Sequence, residues 1–413
     1  MTHFDRPPDS PGLRRTLTLP YVVLYGLGVT VGAGIYVLVG EVISRAGDYS
    51  PLAFLVAGFV MLFPAACFGE LTGRMPYAAA EAHFVGTGFK SSRLFLLVGL
   101  AVAAVGLVSS AAIAHGAVGY LSQLTSLPTA VLLIAVILAT GLISVFEIRN
   151  SIAMAGVLTV IEVGALVAIV IGAALNGYDL PKQAMKAVPD TISLELWSAV
   201  AASSLLAFFA FIGFEDIDSI AEETINPQQT LWRGIFLTLL LSVIIYVAVV
   251  VAALTAVSAD EISGHKAPLS VVFAKTTPLS PLIITLIAIV ATVNGIIVQL
   301  IMAARVLYGL ARRGSLPSAL SKVHPWTHTP HIATGLSVAL VLALALAFPI
   351  TKLAEWTSAI TLSVFILVCA ALILIKRDPE SVAPPGTFIV PVWVPYVGIL
   401  ACAALLIAGL AAG

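Results

Sequence analysis

Charge is what this chain has least of: Asp, Glu, Lys and Arg together make up 10% of its 413 residues. Soluble globular domains carry about 25%, so an ordinary water-facing surface cannot be built from this composition. The 20 basic and 21 acidic residues nearly cancel to a formal net charge of −1, which leaves no electrostatic footprint for nucleic acid. Cysteine is equally scarce. Cys67, Cys369 and Cys402 fall in apolar segments with no CxxC pairing, so neither a disulfide framework nor a metal cluster is implied, and core or lipid packing accounts for them. There is no Ser-His-Asp set, no HExxH and no cofactor fingerprint, which disfavours an enzyme and any bound cofactor. The longest polar stretches, 176–193, 259–280 and 312–330, are the size of loops.

What fills the chain is apolar sequence, with 60% hydrophobic residues and a mean hydropathy of +1.08. This predicts an all-α polytopic membrane protein embedded in a lipid bilayer. Roughly 20 apolar residues make a span, which gives about eleven helices, near 20–43, 50–72, 92–120, 128–146, 151–176, 194–224, 231–257, 281–308, 331–349, 352–375 and 391–412. Arg14 and Arg15 precede the first span without a small-residue cleavage site behind a short apolar core, unlike a removable signal peptide. With the N-terminus cytoplasmic, 14 of the 20 basic residues, Arg6 and Arg149 among them, fall on that side. The positive-inside rule therefore places the C-terminus outside the cell membrane. The segment 73–90 carries Glu81 and His83 among small residues and reads as a short amphipathic helix on the cytoplasmic surface. Asn226 and Pro227 end the sixth span, since Pro lacks the amide hydrogen of a continuing helix.

Two spans at corresponding positions of the two halves are interrupted by glycine. The first carries GVTVGAGIY at 28–36 and the sixth FFAFIGFE at 208–215. Paired interruptions point to the central site of a secondary transporter, because unwound backbone in lipid is tolerated only where it lines a cavity. Gly32, Ala33 and Gly34 let a ligand approach their amides, and the half-helix starting near Ile35 adds a positive dipole end suited to a carboxylate. Carbonyls of Thr30 and of Phe209, Ala210, Phe211 and Ile212 are left to accept from an ammonium. One zwitterion would satisfy both. Small-residue helix packing also accounts for the first segment taken alone, and the second break at Gly213 shifts the balance. Phe208, Phe209, Phe211 and Phe214 either wall a substrate side chain or face lipid.

Four stretches then carry a resemblance: GVTVGAGIYVLVGEV, FGELTGRMP at 68–76, FFAFIGFE followed by AEETINP, and RVLYGLARRGSLPSALSKVHPWTHTPHIA at 305–333. In this order they resemble the amino acid-polyamine-organocation superfamily, closest to its cationic amino acid transporter branch and to bacterial proton-coupled amino acid transporters. The resemblance implies a LeuT-type 5+5 inverted repeat with discontinuous first and sixth helices. It divides the chain into a cytoplasmic segment 1–19, a first repeat 20–176, an extracellular loop 177–193, a second repeat 194–376, and a linker with an eleventh span 377–413. It also implies that the substrate carboxylate meets Gly32, Ala33 and Gly34, and that the amine meets carbonyls of Thr30, Phe209, Ala210 and Ile212.

Glu162, midway along the fifth span, must face the interior, because an ionised carboxylate in hydrocarbon is costly. Proton-coupled relatives place a lysine in the matching context, so a carboxylate is a departure. Burial disfavours the ionised form, which suits binding and release of H⁺; the oxygens also suit Na⁺. The eighth span offers only Thr292 and Asn294 as oxygen ligands, without an adjacent Ser/Thr pair, which favours H⁺. An interhelical hydrogen bond that never titrates is the plain alternative. Glu215 matches an acidic family position and stands with His115 and Asn294 as a candidate gate or pocket residue, ahead of Asp216 and Asp218. Glu70, Glu222, Glu223, Arg312 and Arg313 read as surface pairing or loop anchoring at the cytoplasmic ends, with inward gating the sharper alternative. The expectation is a permease for an α-amino acid working by alternating access with H⁺. A polyamine or amine exchanger and a Na⁺-coupled symporter are the alternatives.

Overall fold

The computed structural model describes residues 15–75, 80–146, 152–189, 193–263 and 265–412. Arg6, Arg14 and Arg149, counted in the charge balance, lie outside this set. Sixteen α-helices follow in order: α1 Leu19–Thr30, α2 Ala33–Ala46, α3 Ser50–Arg74, α4 Ala80–Gly88, α5 Ser92–Leu121, α6 Thr129–Val145, α7 Ile152–Leu175 and α8 Leu180–Lys186. The second half holds α9 Leu194–Phe209, α10 Pro227–Ala256, α11 Ala259–Ser263, α12 Pro268–Thr276, α13 Pro281–Arg312, α14 His331–Ala347, α15 Ile350–Arg377 and α16 Trp393–Ala412. No strand occurs among the described residues. By length and composition, seven apolar stretches are able to cross a membrane, and α1, α6, α9 and α14 are shorter apolar helices.

The protein is an all-α, multi-pass membrane protein. Leu138, Leu142, Leu240 and Ile244 are more than half exposed, which a lipid-facing surface tolerates and a water-facing one does not. Inside, α13 packs along α5, α10 along α3 and α15 along α5. The first span is interrupted after Thr30 and resumes at Ala33. The sixth stops being α-helical at Phe209 and resumes as a 3₁₀ segment, Glu215–Glu223.

Two local expectations are refined. Pro227 sits in the first turn of α10 with Asn226 before it at φ 50°, so the pair starts the next helix where the sequence reading had it end the previous one; Pro is well placed there because that turn needs no amide donor. The stretches read as loops contain the short helices α8, α11 and α12. The 73–90 segment does hold a helix, α4.

The ends of the bundle are tied by ion pairs. At one end Glu70, fully buried, accepts from Arg74 (2.8 Å) and Lys376 (2.6 Å) and from the Val390 amide (2.8 Å), joining α3, α15 and the approach to α16. A buried carboxylate held by two cations and an amide anchors the segment before α16 and is not a surface pair. At the other end Arg45 of α2 reaches Glu355 of α15 at 2.8 Å, and Lys352 meets the same carboxylate at 2.9 Å. Arg313 lies 4.5 Å over the Phe95 ring and donates to His83 Nε2 at 3.3 Å.

Candidate functional site

The two breaks touch. α2 packs on α9, and α1 packs on the 3₁₀ segment, so the interrupted helices run side by side with their gaps at one level. A Cβ at Gly34 would stand 2.7 Å from the Ala210 Cα, closer than real side chains come to backbone. Gly213 has φ +121°, a conformation open to glycine, and a Cβ there would lie 3.0 Å from the Val29 carbonyl oxygen. These two glycines therefore let the breaks cross at backbone contact.

Around the crossing lies a cavity of about 180 Å³. A water needs roughly 10–15 Å³ by this measure, so the space suits a small organic molecule. Thr30, Gly32, Ala33 and Gly34 of the first break, Phe209 and Ile212 of the second, Glu162 of α7 and Asn294 of α13 all line it. No side chain caps the start of α2 at Gly32, so its first amides and positive dipole end lie at the cavity wall, with Glu162 Oε2 close by Gly32. Three lining side chains carry buried oxygens with no hydrogen-bond partner: Thr30 Oγ1, Glu162 Oε1 and Gln299 Oε1. Such oxygens are costly unless a ligand or water pairs with them. The wall thus offers donors at one place and orphan acceptors at others, which is the complement of a zwitterion.

Other expected residues lie elsewhere. Ile35, Ala210, Phe211 and Gly213 do not line the cavity; they pack behind it. Phe211 sits against Phe54 and Tyr246, while Phe208 and Phe214 pack on Phe365. All four phenylalanines of this segment are buried, so none faces lipid and only Phe209 reaches the cavity. His115 Nε2 lies 3.0 and 3.2 Å from the Ala345 and Phe348 carbonyls at the end of α14, away from the cavity lining. Glu215 lines a separate side cavity with Glu81 and Asp216. The Thr292 hydroxyl donates to the Ala288 carbonyl of its own helix at 2.7 Å.

Several residues escaped the sequence reading. Tyr246 of α10 is fully buried, with its hydroxyl 2.7 Å from both the Thr30 and Ala210 carbonyls. One phenol hydrogen is shared between the two carbonyls expected to receive an amine, and each keeps a lone pair. Tyr36 donates to the Glu162 carbonyl at 2.7 Å, and Tyr120 donates to the Tyr36 carbonyl at 2.9 Å, fixing α7 and its carboxylate against α2. Tyr25 and Gln299 also line the cavity. The amide of Gln299 amid the apolar residues of α13 was a usable signal; a lone tyrosine in α10 was not.

A family profile described as amino acid permease matches residues 17–412. The cationic amino acid transporter 2, vacuolar, of Arabidopsis thaliana is 32% identical over 90% of the chain and 61% of its own length. The branched-chain amino acid permease BcaP of Bacillus subtilis is 28% identical over 96% of the chain and 88% of its own length. A methylthioribose transporter of the same bacterium is 26% identical over 95% and 87%. The chain spans about three fifths of the length of that plant relative.

Proposed function

Because the chain belongs to the amino acid permease family of the amino acid-polyamine-organocation superfamily, we propose that it is a secondary transporter for an α-amino acid, working by alternating access around the crossed breaks. The observation that carries this reading is the cavity shared by the uncapped start of α2 and the unpartnered oxygens of Thr30, Glu162 and Gln299. The carboxylate of the substrate sits at the amides of Gly32 to Gly34, and its ammonium faces the orphan acceptors. Decarboxylated amines would leave the α2 amides unanswered, which argues against an amine exchanger. The first and sixth spans rock around this site, with the N-terminus cytoplasmic and the C-terminus outside.

H⁺ is the proposed coupling ion and Glu162 its carrier. Glu162 is 3% exposed and no basic side chain lines its cavity, so its carboxylate is satisfied by a proton or by the substrate ammonium. Competition between the two would couple proton and substrate movement. Na⁺ finds less support, since Thr292 is not among the residues that line the cavity.

Thermal stability of the purified protein, measured against amino acids, amines and polyamines at about pH 5.5 and about pH 7.5, tests both parts, because ligands that bind the folded state raise its stability. Stabilisation by α-amino acids is expected, with a pH dependence that Glu162→Gln abolishes. Selective stabilisation by decarboxylated amines would overturn the substrate class. A pH response unchanged in Glu162→Gln would return that residue to a structural role.

A further inference from the structure

Beside the central cavity lies a second, smaller one of about 20 Å³, lined by Glu81 of α4, Glu215 and Asp216 of the 3₁₀ segment, Gln299 of α13, Thr361 of α15, and apolar groups of α5, α13 and α15. Ile212 and Gln299 line both cavities, so the two adjoin. Three carboxyl groups converge on it and no basic side chain is among its lining. Basic groups on the surrounding helices are engaged elsewhere: Arg313 with Phe95 and His83, Lys376 with Glu70, and Arg377 with the Tyr396 hydroxyl. Glu215 Oε2 accepts from the Gly213 amide at 2.9 Å. Independently of the acids, Gln299 is 9% exposed and its Oε1 has no partner. Buried carboxyl groups gathered without a counter-charge are a costly arrangement unless something positive completes them.

We propose that this side cavity binds a compact monovalent cation of the size and charge of a primary ammonium. Its volume matches one water-sized group, for which roughly 10–15 Å³ suffices, and a planar guanidinium exceeds that room. Such a cation has two sources, a free ion or the distal ammonium of a substrate seated in the central cavity; the second rests on the permease reading above, and the first does not.

The test titrates the purified full chain with methylammonium, with Na⁺ against choline, and with lysine against norleucine, following the unfolding midpoint. The wild type is expected to be stabilised by at least one cation, and Glu81→Gln to lose that response. Preference for lysine over norleucine, present only in the wild type, identifies a substrate side chain as the source; a response to methylammonium or Na⁺ alone identifies a free ion. A wild type indifferent to every cation, or an equal response in Glu81→Gln, overturns the proposal. Monodispersity on gel filtration reports folding of the variant, and Asp216→Asn must show the same loss if Glu81→Gln does not fold. If no α-amino acid stabilises the wild type, the permease reading fails, while methylammonium still decides the side cavity.

Discussion

The two breaks are opposite in electrical character. After the first, the chain resumes as a regular α-helix of 14 residues whose start at Gly32 has no side-chain cap and no acid in its first turn. After the second it resumes as a 3₁₀ segment with Glu215, Asp216 and Asp218 in its first turn, and Glu215 folds back to accept from Gly213. Both resumptions expose amides, but the second answers one with a carboxylate of its own segment and the first has no such acid in its first turn. The start of α2 therefore presents amides that its own segment does not cap, while the 3₁₀ segment brings acids of its own. One broken helix alone would be a polar defect; crossed, they make a site with a direction.

The largest effects should come from separating the breaks. Gly34→Ala drives a Cβ into the Ala210 backbone, pushing α2 off α9 at the cavity wall, and substrate uptake by proteoliposomes is expected to be abolished. Gly213→Ala adds backbone strain to its contact with Val29; a loss of about 1–3 kcal/mol in stability is expected, readable as a lowered unfolding midpoint. Uptake unchanged in Gly34→Ala would show that the contact between the breaks does not shape the site.

Tyr246→Phe is a subtler cut. It keeps the ring against Phe211 and removes the hydroxyl shared by the Thr30 and Ala210 carbonyls, one from each break. Leaving buried acceptors without that donor should cost about 1–3 kcal/mol. A variant as stable as the wild type would mean that water takes over the hydroxyl's role.

The smallest effect is expected at α4, outside the central cavity's lining. Burial, and next the charge of Arg313, hold His83 down from 6.5 to about 4. Between those values the unfolded chain takes up a proton that the folded one refuses, so stability falls as pH drops through this window. His83→Gln should flatten that stretch of the stability profile while leaving substrate response at neutral pH as it was. An unchanged slope would assign the acid sensitivity to other groups.

Composition and local pattern alone determined much of this protein. Scarcity of charge and the spacing of apolar runs required a helical membrane bundle, because backbone polar groups in hydrocarbon must be satisfied within helices. Glycines at 32, 34 and 213 marked both breaks, since their backbone freedom and lack of bulk are local properties. Which residues share a wall depended on distances between helices far apart in the chain, and no local pattern encodes those. Phe208, Phe209, Phe211 and Phe214 look alike in sequence, yet packing turns only Phe209 to the cavity. Tertiary structure alone brought Tyr246 to both breaks, gathered Thr30, Glu162 and Gln299 around one space, and set Glu81 beside Glu215 and Asp216. Hydrogen bonding and burial act between neighbours in space, and only the folded chain says who those neighbours are.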